Sequence, residues 1–239
     1  LSAINNLDES LDLIGNTIET ILGIEAEFQV LIAQEMADSK NPEDFVRSYE
    51  WNSTMIKISI ILAGETEGIS NTKEVFSEEG LDFSAGKTVD GLPLSSSYIN
   101  DMGTWAYTMK CPIVRENDEI GTLYIEYIYD SFDEALPNDF YHSEATLYLM
   151  DAASRKFVMK PKGIGERDAG HLNLEDFYTA NKIREEEVKK TVDEHITEGS
   201  DMMFYHNIQN QESLIYMWSV NDGVVYLIGY VPVQAIQRE

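Results

Sequence analysis

The chain has 239 residues, 43% of them hydrophobic, and carries 43 acidic against 17 basic side chains, for a net charge of -26. That length suits two compact domains of about 100–150 residues better than one large core, and that charge repels phosphate backbones and anionic headgroups, which argues against nucleic acid as a partner. A well-solvated acidic surface explains the charge most simply, and cationic or neutral ligands are compatible with it.

From Ile4 the apolar positions recur at Leu7, Leu11, Ile14, Ile18, Ile21, Phe28 and Ile32 in steps of three and four, with only Glu25 off pattern. This spacing predicts a helix over residues 4–36, a rod of roughly 50 Å at about 1.5 Å per residue. A sustained step of 3.5 suits a seam with a second copy of the chain; a single helix lying along its own domains explains the pattern equally well. Asn41-Pro42-Glu43-Asp44 then reads as a helix start, with Asn41 as cap and proline where its missing N–H costs little. The short helix it opens is expected to reach about Asn52, with Phe45 and Tyr49 as its apolar face.

Met55 to Leu62 is β-branched and bounded by Gly64, as a buried strand should be, and a loop-rich region follows from Gly64 to Ser97. The clearest hairpin pairs Thr104–Val114 with Ile120–Tyr129 across a polar turn from Arg115 to Glu119. On its first strand Trp105, Tyr107, Met109 and Cys111 share one face by the two-residue period. Leu136-Pro137-Asn138-Asp139 marks a domain boundary. Beyond it come a hairpin of Ala145–Met150 and Lys156–Met159, and a charged helix from about Glu175 to Glu198. Three strands over Met202–His206, Leu214–Val220 and Val224–Tyr230 complete the chain, with Asn221-Asp222-Gly223 as a tight turn. Each half carries helices beside an antiparallel sheet, so the fold class is α+β.

The run Ser97-Tyr98-Ile99-Asn100-Asp101, with Gly103 to Thr108, Pro112-Ile113-Val114 and Gly121-Thr122-Leu123-Tyr124, resembles the double Cache family of extracellular sensors. Members serve chemoreceptors, histidine kinases and membrane-bound diguanylate cyclases. The resemblance implies a stalk helix (1–40), a membrane-distal PAS-like lobe (41–137), a membrane-proximal one (138–232) and an exit (233–239) toward a second transmembrane helix. Leu147 to Asp151 and Ile228 to Pro232 are similar to the proximal lobes of bacterial diguanylate cyclase receptors. The chain opens on Leu1 inside an amphipathic pattern and closes just after a strand-like run, so flanking transmembrane helices are expected in a longer protein, with this segment on the extracytoplasmic face of the membrane.

In amino-acid-binding members an Arg-x-Trp-Tyr segment holds the ligand carboxylate, and an Asp late in the hairpin holds its ammonium. Between Gly64 and Ser97 this chain has neither Arg nor Trp, whereas Glu126 falls where the family's Asp stands. The expected distal site comprises Tyr98, Asn100, Asp101, Trp105, Tyr107 and Glu126, aromatic walls around few polar groups. An acid beside aromatic faces favours an amine, and a sugar or nucleoside-like ligand also fits, in preference to a free amino acid. The alternative for each residue is a plain core aromatic or a solvated acid.

No catalytic constellation, metal or cofactor is expected. The histidines His142, His171, His195 and His206 lack zinc-ligand spacing. Cys111 stands alone, which excludes an intramolecular disulfide, and Gly163 to Asp168 departs from a nucleotide fingerprint at its third glycine and reads as a loop. The functional expectation is a non-catalytic sensor that passes a signal through the stalk to a cytoplasmic output domain. Its rivals are a ligand-free dimerisation or partner-binding ectodomain and a secreted hydrolase built on scattered carboxylates.

Overall fold

The computed structural model describes residues 2–50, 55–162 and 170–238. The chain forms two compact units, one of residues 20–131 and the other of residues 1–19 with 132–239. The first helix, α1 (Ser2–Asp38), contributes to both.

Along α1 the central buried stripe runs through Leu7, Leu11, Ile14, Ile18, Leu22, Glu25, Gln29, Ile32 and Met36, with the small residues Gly15, Ala26, Ala33 and Ala37 buried beside it. The mean spacing of the stripe is that of a straight α-helix, about 3.6 residues per turn. The apolar stripe read at 3.5 therefore slips: after Ile18 the core takes Leu22 and Gln29, whereas Phe28 stays exposed with Leu13, Ile24 and Leu31. Packing on its own units sets this period, because a straight helix keeps one face down only at its natural repeat. Glu25, the one residue that broke the apolar pattern, is in the core.

In the unit of residues 20–131, α2 (Pro42–Arg47) starts as expected, with Asn41 Oδ1 accepting from the N–H groups of Glu43 (3.0 Å) and Asp44 (3.3 Å). It ends earlier than expected, and its predicted last residues, 51 and 52, lie outside the described residues. Strand β1 (Met55–Leu62) is central; β2 (Glu67–Ser70), β3 (Val75–Ser77) and a small hairpin of β4 (Thr88–Val89) and β5 (Leu92–Pro93) occupy the loop-rich region. Then come β6 (Tyr98–Ile99), β7 (Trp105–Arg115) and β8 (Asp118–Ile128). The sheet order is β3-β2-β1-β8-β7-β6, antiparallel throughout. The β7–β8 turn is tighter than predicted: Glu116 and Asn117 alone turn the chain, both at positive φ (52° and 69°), the geometry that matches strand twist. Arg115 then reaches back to the end of α1, donating to the carbonyls of Ala37 (2.6 Å) and Ser39 (2.7 Å). It satisfies helix-end acceptors for which the last turn offers no cation.

The other unit holds β9 (Tyr148–Asp151), β10 (Phe157–Met159), α3 (Leu174–Ala180), α4 (Glu186–Glu198), β11 (Met202–Ile208), β12 (Gln211–Val220), β13 (Val225–Pro232) and α5 (Val233–Gln237). Its sheet order is β10-β9-β13-β12-β11. The single helix expected over 175–198 is two helices. Asn181 closes α3, its amide donating to the Phe177 carbonyl (2.9 Å), and Lys182 turns the chain at φ 56°. The break lets Ile183 enter the core beside Phe177 and Tyr178. Asn221-Asp222-Gly223 forms the predicted turn, all three at positive φ. Gly229 is obligatory for packing, since a Cβ there would lie 1.9 Å from the Thr146 carbonyl oxygen. Gly163 to Asp168, read as a loop, lie outside the described residues. Among the described residues no helix is long and apolar enough to cross a membrane.

Candidate functional site

Strand parity builds the site. In the antiparallel register Glu126 of β8 stands opposite Thr108 of β7 on one side and Lys57 of β1 on the other. Residues two apart share a face, so Ser59, Tyr124, Thr108, Lys57 and Glu126 project together. β6 adds Tyr98, the following turn adds Asn100 and Asp101, and the segment from Val75 to Leu81 closes the side. The result is a cavity of about 300 Å³.

At its floor Glu126 is 8% exposed and held at both oxygens. Tyr98 Oη donates to Oε1 (2.8 Å) and Asn100 Nδ2 to Oε2 (3.3 Å). Tyr98 has spent its only proton there, so in its 2.6 Å contact with Thr108 Oγ1 the threonine is the donor. Asn100 is fixed in turn, because its Oδ1 accepts from the N–H groups of Met102 and Thr104, both at 3.0 Å. Burial, then the Glu126 charge, raise the Tyr98 pKa well above the usual phenol range, so it remains a donor at any physiological pH. The carboxylate keeps acceptor capacity on the cavity side.

Around it stand an aromatic wall and one amine. The Phe76 and Tyr124 rings pack with centroids 4.8 Å apart, and Lys57 Nζ sits 5.5 Å from the Phe76 centroid. Among the described residues no ion pair engages Lys57. In an adjoining groove Glu78 accepts from Lys110 Nζ (2.7 Å) and Tyr124 Oη (2.8 Å). Partial burial works against its ionisation, but these two hydrogen bonds and the lysine charge hold its carboxyl below the usual range. This groove, wider at about 910 Å³, adjoins at Tyr124 and also carries Glu65, Glu67, Glu79 and Glu119. Volume alone favours that groove; the buried, doubly held carboxylate favours the smaller cavity.

Of the six expected residues, Tyr98, Asn100, Asp101 and Glu126 line this cavity. Trp105 and Tyr107 do not: Tyr107 pairs with Tyr127 in the register and its hydroxyl donates to Glu25 of α1. They lie on the opposite face of β7 from Thr108, as the two-residue period requires once Thr108 is paired with Glu126. Lys57, Ser59, Thr108 and Tyr124 were missed. The signal for two of them was present, a lysine and a serine at alternate positions of an otherwise apolar strand. Of the histidines, His171 bonds to Tyr148 Oη (3.0 Å), His195 to Ser200 Oγ (2.8 Å) and His206 to the Asn181 carbonyl (2.8 Å). Among the described residues no three His, Cys, Asp or Glu could hold a metal ion.

One long helix with two antiparallel sheets, each ordered second, first, fifth, fourth, third once the short extra strand β3 is set aside, is the α+β architecture of double Cache sensory domains. No family model and no curated protein matches the sequence. Solved structures do match. The ligand-binding domain of the Pseudomonas fluorescens chemoreceptor CtaA in complex with L-isoleucine has a TM-score of 0.67 and 13% identity, over 99% of this chain and 95% of that one. The ligand-binding domain of the Pseudomonas aeruginosa PAO1 amino acid chemoreceptor PctC in complex with GABA gives 0.66 and 11%, over 95% and 98%. The sensory domain of the Campylobacter jejuni chemoreceptor Tlp3 with isoleucine bound gives 0.63 and 13%, over 99% and 95%. At such identities the likeness is one of fold.

Proposed function

We propose that this chain is the extracytoplasmic ligand-sensing segment of a bacterial transmembrane receptor, and that its ligand is a small molecule carrying an ammonium group, bound in the cavity of residues 20–131. The carrying observation is Glu126, a carboxylate held by Tyr98 and Asn100 on a cavity floor, beside an aromatic wall. A cation placed there gains a charge-assisted hydrogen bond and a ring face. The solved domains of the same fold supply the context, with L-isoleucine in CtaA and GABA in PctC. The Arg-x-Trp-Tyr clamp is missing from this chain, which favours an amine. Lys57 beside Glu126 supplies a different cation, so a ligand that carries both an ammonium and a carboxylate is also accommodated.

The test is a thermal-shift and calorimetric screen of simple amines, GABA, L-isoleucine, sugars and nucleosides against the wild type, Glu126→Gln and Lys57→Ala. Amines should stabilise the wild type and lose affinity in Glu126→Gln. Loss in Lys57→Ala as well would identify a zwitterion. A sugar or nucleoside that binds Glu126→Gln unchanged would sink the ammonium reading. Silence across the panel would favour the second reading, a dimerisation ectodomain, which draws support from the exposed Leu13, Ile24, Phe28 and Leu31 of α1. Sedimentation of the wild type and of a Leu13, Ile24 and Leu31 to serine variant would read that out. The output domain follows from the full-length reading frame. A chemotaxis signalling domain accords with the chemoreceptor structures named above; they lend a diguanylate cyclase no support.

A further inference from the structure

The strands that floor the cavity have a second face, and it meets α1. Thr108 and Glu126 face the cavity, so their chain neighbours Tyr107 and Tyr127 face the helix. These two rings stack with centroids 5.7 Å apart. Tyr107 Oη donates to Glu25 Oε1, and Tyr127 Oη lies 3.1 Å from both the Glu25 carbonyl oxygen and Gln29 Oε1. Gln29 completes the cluster by donating from Nε2 to the carbonyls of Met109 (2.8 Å) and Leu123 (3.2 Å).

Glu25 is 7% exposed, and its second oxygen, Oε2, has no hydrogen-bond partner. The titratable groups facing the cluster are Tyr107 and Cys111 from β7, Tyr127 from β8, Tyr129 after it and Tyr49 beyond α2. None is a cation. A carboxyl in this setting is a liability, because burial penalises its ionised form and no positive charge offsets the penalty. Burial pushes its pKa up to about 8, against the opposing hydrogen bond from Tyr107. A leucine or glutamine would fill the same phase of the helix more favourably, and costly polar groups of this kind concentrate where function uses them.

We propose that Glu25 is a positioning residue for the ligand cavity: with Tyr107, Tyr127 and Gln29 it clamps α1 to the two strands whose other faces carry Thr108 and Glu126, so that the placement of the helix and the shape of the cavity change together. The proposal rests on the ligand-binding reading of that cavity. A ligand drawn onto Glu126 moves the backbone that also carries Tyr127, and by linkage a loosened clamp changes ligand affinity by the same factor. Ionised Glu25 needs a second donor or water at Oε2, and the helix must yield to admit it.

Hydrogen exchange on the ligand-free protein, followed from about pH 6.5 to about pH 9.5 around the Glu25 midpoint, tests the clamp. In the wild type, protection over 105–111, 123–128 and 20–38 should fall together as pH rises through the midpoint. Glu25→Gln, which keeps the shape without the titration, should stay flat, and Tyr107→Phe should be weakly protected throughout. Parallel profiles in the wild type and Glu25→Gln overturn the proposal. Titration with GABA as probe on the same samples should show a several-fold pH dependence of affinity in the wild type and none in Glu25→Gln; an equal dependence in both likewise overturns it. If GABA does not bind the wild type, that result counts against the cavity reading, and the exchange profiles alone decide the clamp.

Discussion

The two sheets share one strand order, and the face turned away from α1 is used in opposite ways. In the unit of residues 20–131 that face carries Lys57 and Ser59 on its first strand and Tyr124 and Glu126 on its last, and it opens onto a cavity. In the other unit the first strand carries Tyr148 and Met150 and the last carries Tyr226 and Ile228, and α3 and α4 lie over them with Phe177, Tyr178, Val192 and Ile196. There Tyr148 stacks on Phe157 at 4.4 Å between centroids and meets Phe177 edge-on at 6.3 Å. A polar inward face cannot be sealed by helices without stranding its carboxylate, whereas an aromatic one cannot be left open without exposing apolar surface. Side chains at alternate positions of a common topology thus separate a lobe with an open polar cavity from a lobe with a sealed aromatic core.

Removing the aromatic seal should produce the largest effect. Phe177→Ala should destabilise its unit by about 3–5 kcal/mol, the usual cost of deleting a buried phenyl ring. Denaturant unfolding followed by the near-ultraviolet signal of Tyr148 and its neighbours would measure it. A loss under about 1 kcal/mol would mean that this lobe, too, tolerates a void.

The buried carboxyl behind the cavity should come next. Glu25 has its folded pKa raised from 4.5 to about 8, so between those values the unfolded chain is ionised while the folded one still holds the proton. Stability should therefore be highest below about pH 4.5 as far as this group is concerned, fall by about 1.4 kcal/mol per pH unit through the window, and level off above about 8. Glu25→Gln should remove that slope and raise the melting temperature at pH 7 to 8, as scanning calorimetry across the window would show. A steeper slope in the variant than in the wild type would reverse the assignment.

The smallest effect on the fold belongs to the cavity floor. Glu126→Gln keeps an acceptor for Tyr98 but loses the charge and the acceptor for Asn100 Nδ2, so its cost in unfolding free energy should be about 1–2 kcal/mol, below that of Phe177→Ala. A much larger loss would mean that Glu126 supports packing in the manner of Phe177, and the contrast between the lobes would collapse.

How much of this was legible depended on the range of the interaction. The β7–β8 hairpin, the Asn41 cap and the Asn221-Asp222-Gly223 turn were legible because neighbours in sequence make them. Tyr98, Asn100 and Glu126 were legible through resemblance, Asp101 as their neighbour, and the four line one cavity. Trp105 and Tyr107 were grouped with Glu126 because all three are suitable residue types, yet which face of β7 joins Glu126 depends on a register between strands. Lys57 was overlooked for the same reason: its partner is 69 residues away along the chain and adjacent only across β1 and β8.

The sequence by itself determined the long helix, the antiparallel character of both halves and the turns, since propensity, capping and periodicity act over a few residues. Only the tertiary structure decided which heptad phase of α1 is buried, that residues 175–198 break into two helices, and that one sheet face holds an open carboxylate while its counterpart holds a sealed aromatic core. Those outcomes depend on which strands pair and in what register, and a shift of one residue would exchange every inward side chain for its outward neighbour.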